Sequence, residues 1–196
     1  MSRTLCAILT LLVGLAAPAC GGAEVGSAVP AGDPSRWEGQ MRQLFGDTIH
    51  PAAVGLSMDG VSPAVDQNLG ARAQHGDIVA RVKVATVTSD RMGERTVYHL
   101  NILVGEPTLM PAKLPDRSLE LSIPESNPSF QLVQANEARL SGMTLIGFFR
   151  RFTGDEGPEI HWYLTADTGE VAQAVEQARA LAEAAGKKGR RGGRGR

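Results

Sequence analysis

Five segments between residues 78 and 166 have the hydrophobic pattern of β-strands. In four of them apolar residues alternate with polar ones, as in a strand that buries one face. The alternating apolar positions are Ala80, Val82 and Val84; Tyr98, Leu100, Ile102 and Val104; Leu119, Leu121 and Ile123; and Ile160, Trp162 and Leu164. Residues 144–149 form a continuous apolar run, which predicts a central strand buried on both faces. A turn is expected at residues 90–93.

Helical periodicity flanks the strands on both sides. An Asp-Pro pair at residues 33 and 34 favours a helix start, and Gly46 favours its end. The apolar stripe of this short helix comprises Trp37, Met41, Leu44 and Phe45. The second helix is predicted over residues 168–185, after a capping box formed by Asp167 and Glu170 and before a stop at Gly186. Its stripe comprises Val171, Val175, Ala178, Leu181 and Ala182.

These elements predict an α+β fold of about five mostly antiparallel strands, with a short N-terminal helix and a C-terminal helix. Closure into a small OB-like barrel is one arrangement that five strands allow. Residues 47–77 contain Pro51, Pro63 and several glycines, so loops with about one helical turn are expected there.

The first 19 residues have the three-part pattern of a secretory signal peptide. Arg3 precedes an apolar run over residues 5–17, and small residues follow. The run is shorter than the roughly 20 apolar residues that a membrane-spanning helix needs. We therefore expect residues 1–19 to be removed after export.

The end of this signal fits two processing reactions at the same bond. Ala17 and Ala19 form an Ala-x-Ala signal-peptidase site, after which Cys20 would be a free N-terminal thiol. The same run, Ala17-Pro18-Ala19-Cys20, resembles the lipobox of bacterial lipoproteins, in which the cysteine is diacylated before cleavage. The resemblance implies a lipid on Cys20 and, because Gly21 rather than Asp follows, an outer-membrane location.

The cysteine count favours lipidation of Cys20. The chain has two cysteines, and the other one, Cys6, lies within the signal. The mature chain therefore has no partner for an internal disulfide. A free thiol is a liability in an oxidising compartment, and acylation would remove it. We expect an envelope lipoprotein on the periplasmic or the surface face; a soluble periplasmic or secreted protein is the alternative.

The mature chain is predicted to have three parts. Residues 20–35 are rich in Gly, Ala, Ser and Pro and should form a flexible tether. Residues 36–186 should form a single globular domain, with a strand-rich part at 78–166 and a helix at 168–185. Residues 187–196 should be a disordered basic tail. The tail carries Lys187, Lys188, Arg190, Arg191, Arg194 and Arg196.

The near-neutral total charge hides an acidic domain and a basic tail. Of the 20 basic residues, the six in the tail and Arg3 lie outside residues 20–186. That range contains the other 13 basic residues and all 21 acidic residues. The tail residues are candidates for contacts with anionic envelope polymers or lipid phosphates. Although the tail resembles Arg-Gly segments of RNA-binding proteins, it has no aromatic residues, and no nucleic acid partner is expected. A solubilising tail without a partner is the alternative.

No residues have the spacing of a catalytic, cofactor or metal site, so no cofactor is expected. The histidines show no metal-ligand spacing and should be solvated; they are His50, His75, His99 and His161. Ser57 lies in a near match to the nucleophile elbow, but Asp59 stands where a glycine is required. Asp155, Glu156 and Glu159 accompany glycines and a proline, a pattern typical of a polar hairpin turn.

We therefore predict a membrane-anchored envelope lipoprotein with a non-catalytic binding or structural role, and no enzyme. One alternative is an envelope hydrolase acting on cell-wall or lipid substrates. It would need two or three of a set of residues in one cleft: Ser57, His50, Asp59, Asp155 and His161. Another is a barrel that binds an oligosaccharide or peptide through an aromatic face. Strand alternation sends Trp162 and Tyr163 to opposite faces, and Trp162 is expected in the core.

Overall fold

A curled six-stranded sheet is the centre of the computed structural model, which describes residues 36–56, 62–105 and 117–192. These residues belong to one compact unit. The strands are β1 (Thr48–Ile49), β2 (Ile78–Met92), β3 (Arg95–Val104), β4 (Ser118–Pro124), β5 (Thr144–Thr153) and β6 (Pro158–Ala166). Their order in the sheet is β1-β6-β5-β2-β3-β4. β1 runs parallel to β6, and the other neighbouring strands are antiparallel.

The predicted α+β class is confirmed, but the sheet that the described residues form has six strands and not five. The five predicted strands form as β2 to β6. β1 escapes prediction because its two residues are too few to show an alternation. The described strands form a half-barrel with β1 and β4 at its edges, which differs from the five-stranded OB-like barrel.

β2 is longer than its alternating pattern predicts, because a β-bulge changes its register. The bulge lies between Val84 and Thr86 and reverses which residues along the strand face the core. The strand then continues to Met92, through most of the expected turn. The turn to β3 lies at residues 93–94, where Gly93 has φ 68°, a left-handed conformation that suits glycine.

The helices are α1 (Gly39–Leu44), α2 (Leu69–His75), α3 (Phe130–Leu140) and α4 (Gly169–Gly192), with short 3₁₀ helices at Pro51–Val54 and Pro63–Val65. α1 confirms a short N-terminal helix, but its start differs from the prediction: the helix begins at Gly39, and Trp37 lies before it because the backbone at Glu38 is extended (φ −136°, ψ 161°). Residues 47–77 hold more helix than the one turn expected, since α2 and both 3₁₀ helices lie there. α3 was not predicted. Its backbone departs from helical geometry at Asn136 (φ −129°, ψ 21°), so its apolar residues do not follow one unbroken helical period.

The start of α4 differs from the predicted capping box. The Val171 N–H donates to the hydroxyl of Thr168 at 3.2 Å, so Thr168 caps this helix. Asp167, the expected capping residue, instead forms an ion pair with Arg81 at 3.1 Å. Glu170 accepts a hydrogen bond from the hydroxyl of Ser62 at 2.5 Å.

The end of α4 also differs from the prediction. Its backbone continues past the expected stop at Gly186, so residues 187–192 of the predicted tail are helical. Ala178 is the last residue of α4 that is buried, among those with described side chains, and Leu181 is 68% exposed. Across the described ranges, every helix is too short or too polar to span a bilayer.

Both faces of the sheet are covered, and each cover forms its own hydrophobic layer. The first layer packs α3 and the 3₁₀ helix Pro51–Val54 against one face, and the second packs α1, α2 and α4 against the other. Trp162 lies in the first layer and Tyr163 in the second, as the alternation predicts. Phe148 and Phe149 are divided in the same way, which confirms β5 as a central strand buried on both faces.

Candidate functional site

The imidazole of His161 contacts side chains from four other positions in the fold. Nδ1 lies 2.7 Å from Asp47 Oδ2, and Nε2 lies 3.3 Å from Glu159 Oε2. The indole of Trp37 stacks on the imidazole with ring centroids 3.7 Å apart and planes 7° apart. Phe152 meets the imidazole edge-on at 5.6 Å. Only 12% of the His161 side chain is exposed, and these five residues are named the His161 cluster.

The register of the β5–β6 hairpin brings two members of the cluster to one face. Side chains two residues apart on a strand share a face, so Glu159 lies beside His161 on β6. Phe152 of β5 is directly opposite Glu159 and therefore shares that face. It is the face that α1 covers, which is why Trp37 can reach the imidazole.

Asp47 is held in place by hydrogen bonds from both its backbone and its side chain. Its N–H donates to the Trp162 carbonyl at 2.9 Å, and its Oδ1 accepts from the Trp162 N–H at 3.0 Å. Its carbonyl accepts from Asn127 Nδ2 at 3.0 Å. Its φ of 52° is in the left-handed region, where aspartate is tolerated better than most residues. The second carboxylate oxygen is therefore fixed in direction toward His161.

Trp37 is held on the imidazole by contacts at its nitrogen and its ring. The indole N–H donates to the Phe45 carbonyl at 2.7 Å. The guanidinium of Arg42 lies 4.8 Å from the ring centroid, within the range of a cation–π contact. These contacts hold the start of the described chain against β6.

The carboxylate of Glu159 occupies the space beside Gly154 and from there reaches His161. A Cβ added to Gly154, in the turn between β5 and β6, would overlap the Glu159 carboxylate. The missing side chain at residue 154 therefore leaves the space that the carboxylate occupies.

The two carboxylates raise the pKa of His161 above its ordinary value. Burial is the largest single influence and by itself lowers this pKa, because it disfavours the charged ring. The hydrogen bonds and negative charges of Asp47 and Glu159 act in the opposite direction and together outweigh burial. The cluster therefore favours the protonated imidazole.

The Asp47–His161 pair has the form of a carboxylate that orients a catalytic base. In catalytic sites of that kind the second ring nitrogen faces the substrate or a nucleophile. Here Nε2 faces Glu159, and the indole of Trp37 covers one face of the ring. A proton on this imidazole therefore lies between two carboxylates.

The prediction that the histidines are solvated is wrong for His161, and His50 and His99 are only partly exposed. His99 lies between Asp90 Oδ2, at 3.5 Å from Nε2, and Glu120 Oε1, at 3.0 Å from Nδ1, and its side chain is 24% exposed. In each case a carboxylate from another strand or a loop, Glu120 for His99 and Asp47 for His161, approaches a face that the alternation marks only as polar. His75 is exposed, as predicted.

His50 is half-buried and caps the 3₁₀ helix Pro51–Val54. Its Nδ1 accepts a hydrogen bond from the Ala52 N–H at 3.2 Å, which requires that nitrogen to be unprotonated. Burial lowers the pKa of His50, Asp66 opposes the shift, and Arg72 adds to it. The neutral ring is therefore the favoured form.

A second polar cluster lies under α2, around the buried side chain of Arg72. Its Nε donates to the Leu44 carbonyl at 2.7 Å, and an ion pair joins it to Asp66. The guanidinium lies 3.6 Å from the ring centroid of Tyr163, whose hydroxyl donates to Asp66 at 3.1 Å. Burial is the main reason that the pKa of Tyr163 is raised. These contacts connect α2 to α1 and to β6, which is a structural role.

The residues of the hydrolase alternative are not brought together where they are described. Ser57 and Asp59 lie outside the described residues. The His50 N–H donates to the Leu164 carbonyl, whereas Asp155 lies in the turn beyond Pro158, six residues back along β6. Six residues of strand span about 20 Å. No hydrogen bond or ion pair in the described ranges joins Asp155 to His50 or His161.

The residues predicted for membrane and anion contacts are only partly described. Cys20, Arg194 and Arg196 lie outside the described residues, as do the signal and the tether. Lys187, Lys188, Arg190 and Arg191 lie on the helical backbone of α4. In the ranges that are described, no group of three or more His, Cys, Asp or Glu side chains is arranged to hold a metal ion.

Sequence reasoning missed the partners that define the His161 cluster. The spacing of Glu159 and His161 on one strand face was a usable signal for one of them. Trp37 and Asp47 carry no such signal, because they are more than a hundred residues away from His161 in the chain. No protein-family model, curated protein or solved structure matches this chain.

Proposed function

We propose that this chain is an envelope lipoprotein, anchored in the outer membrane by a lipid on Cys20, whose α+β body has a non-catalytic binding or structural role. The lipobox-like run before Cys20 and the single cysteine of the mature chain support the anchor. The observation that supports a non-catalytic body is the His161 cluster, in which both ring nitrogens of the histidine are engaged within the fold.

The anchor is tested by mass spectrometry of the mature N-terminus. We expect a diacylated Cys20, and we expect globomycin, which inhibits the lipoprotein signal peptidase, to block processing. The matched control is Cys20→Ser, which should lose membrane association. An unmodified cysteine at the mature N-terminus would contradict the anchor and favour a soluble periplasmic or secreted protein.

The non-catalytic role is tested against the hydrolase alternative with a fluorophosphonate probe, which labels activated serines. The Asp47–His161 pair is the observation that favours this alternative, because a carboxylate and an imidazole are two of the three groups of a hydrolytic triad. We expect no labelling of the full mature chain. Labelling that Ser57→Ala or His161→Gln abolishes would establish a hydrolase instead.

We further propose that the end of α4 carries the basic residues to an anionic envelope surface. α4 is buried as far as Ala178, and its backbone continues 14 residues to Gly192. At 1.5 Å per residue this extension is about 21 Å long. The basic positions of the tail follow residue 186, in the distal part of this extension. Each basic residue near an anionic membrane contributes about 1 kcal/mol of attraction, which salt weakens.

The contact is tested with the full mature chain carrying Cys20→Ser, so that the lipid does not contribute. We expect this variant to sediment with vesicles that contain phosphatidylglycerol and to dissociate from them in high salt. It should not sediment with vesicles of phosphatidylcholine alone. Replacing the six basic tail residues by Gln should abolish binding, whereas the control Arg91→Gln, an exposed cation of β2, should not. Unchanged binding after the six replacements would contradict the proposal.

A further inference from the structure

The segment at the start of the described chain, residues 36–41, is attached to β6 mainly through Trp37. The indole stacks on His161 at 3.7 Å and donates to the Phe45 carbonyl at 2.7 Å. Leu44 and Phe45 are fully buried, whereas Trp37 and Met41 are only partly buried. The second half of α1 is thus fixed by the core, while the Trp37 segment is held by the His161 cluster and by the partly buried packing of Trp37 and Met41 against the second hydrophobic layer.

Protonation of His161 changes how many of these contacts it makes. A neutral imidazole has one N–H and therefore donates to only one of its two carboxylate neighbours, Asp47 or Glu159. The protonated ring has two N–H groups and donates to both, at the 2.7 Å and 3.3 Å distances observed. It also places a positive charge against the face of the Trp37 indole, a cation–π contact. Protonation therefore strengthens the hold on Trp37.

The other charged groups around the cluster do not cancel this effect. On α1, Arg42 lies over the Trp37 ring, 4.8 Å from its centroid. On β5, Arg150 lies 5.4 Å from the Phe152 centroid and donates to the His75 carbonyl. Both cations contact aromatic rings of the cluster, whereas the two carboxylates contact His161 itself. The carboxylates therefore have the stronger influence on the imidazole, and the pKa of His161 is raised.

We propose that His161 is a proton-operated clasp: its protonation fastens the Trp37 segment to the sheet, and its deprotonation loosens that segment. The Trp37 segment directly follows the predicted tether, residues 20–35, in the chain. Acidification of the surroundings would therefore stiffen the point where the tether joins the body, and mild base would loosen it. The clasp does not depend on whether Cys20 carries a lipid.

The clasp is tested by NMR through the exchange of the Trp37 indole N–H, in the full mature chain with Cys20→Ser. We expect the protection of this N–H, relative to free indole at the same pH, to fall about two- to fivefold from pH 5 to pH 8. That range is what partly exposed ion pairs usually contribute. The imidazole signals of His161 should titrate over the same pH interval.

Variants separate the clasp from general effects of pH. His161→Gln keeps a planar polar side chain but has no titration, so it should remove the pH dependence of Trp37 protection. The control His75→Gln, at an exposed histidine, should keep it. If His161→Gln fails to fold, Glu159→Gln tests the clasp instead, because the Glu159 side chain is 49% exposed. This variant should reduce the pH dependence of Trp37 protection. Equal protection at pH 5 and pH 8 in the parent chain, or unchanged dependence in both cluster variants, would overturn the proposal.

Discussion

Gly154 shows how a missing side chain sets the electrostatics of a residue elsewhere on the hairpin. The Glu159 carboxylate fills the space beside Gly154 and from there reaches Nε2 of His161. Because Glu159 is one of the two groups that raise the pKa of His161, the turn composition has a direct effect on a titrating group.

We predict that Gly154→Ala lowers the pKa of His161. The added methyl group would displace the carboxylate of Glu159, a flexible side chain, so little loss of stability is expected. An NMR titration of the imidazole measures the change. Gly169→Ala is the matched control, because a Cβ there meets no atom within 4 Å. An unchanged titration in Gly154→Ala would contradict this prediction.

At the residue scale, the sequence predicts where side chains point but not what covers them. Alternation correctly places Trp162 and Tyr163 on opposite faces of β6. It cannot reveal that Asp47 and Trp37 cover His161, because the partners of a strand face come from any part of the chain. The unusual backbone of Asp47 is also invisible, since it is maintained by hydrogen bonds to Trp162 and Asn127.

The start of α4 shows the same difficulty for a secondary structure element. Asp167 and Thr168 are both good capping residues, and only the structure shows that Thr168 accepts the Val171 N–H. Asp167 is instead used by Arg81, a partner 86 residues away. α3 was missed for a related reason, since tertiary packing and not an unbroken periodic pattern holds it.

We predict that Thr168→Ala lowers the free energy of unfolding by about 1 kcal/mol, because the first turn of α4 loses its cap. Thr168→Ser should keep most of that stability. Asp167→Ala should lose about 0.5 kcal/mol or less, the usual contribution of an exposed ion pair. Urea unfolding measures all three. A larger loss of unfolding free energy in Asp167→Ala than in Thr168→Ala would indicate that Asp167 caps α4, as the predicted capping box requires.

Helix α2 has seven residues, and Arg72 adds polar contacts to the apolar packing of Leu69 and Ala73 that attaches it. We predict that Arg72→Met destabilises the fold by about 3 kcal/mol, because it leaves Asp66 without its buried partner. Adding Asp66→Asn should recover part of that loss, since the unpaired charge is removed. The control Arg91→Met, at an exposed arginine of β2, should change stability by about 0.5 kcal/mol at most. Equal effects of the two single variants in urea unfolding would contradict the role of Arg72.

At the scale of the whole molecule, two histidines act oppositely on stability as pH changes. The pKa of His161 is raised on folding, so its contribution is complete below the unfolded value of about 6.5 and is lost as pH rises through the folded pKa. The pKa of His50 is lowered, so its contribution is complete above about 6.5 and is lost as pH falls through the folded pKa.

We therefore predict that single variants reveal pH dependences which partly cancel in the parent chain. His50→Gln should make the protein relatively more stable at pH 5 than at pH 8, and His161→Gln should do the reverse. Each change should be on the order of 1 kcal/mol or less, because both groups are only partly buried. Urea unfolding at the two pH values measures this. If the pH dependence of the unfolding free energy changes in the same direction in both variants, the opposite effects assigned to His50 and His161 would be contradicted.

The strand order has a consequence for the path by which this chain folds. The β2–β3 and β5–β6 hairpins join residues that are close in the chain. The contacts of β1 and its flanking residues with β6 join positions such as Asp47 and Trp162, 115 residues apart. Closing so long a loop is entropically costly, so non-local contacts form late. The first residues of the body to be synthesised are therefore among the last to reach their native neighbours.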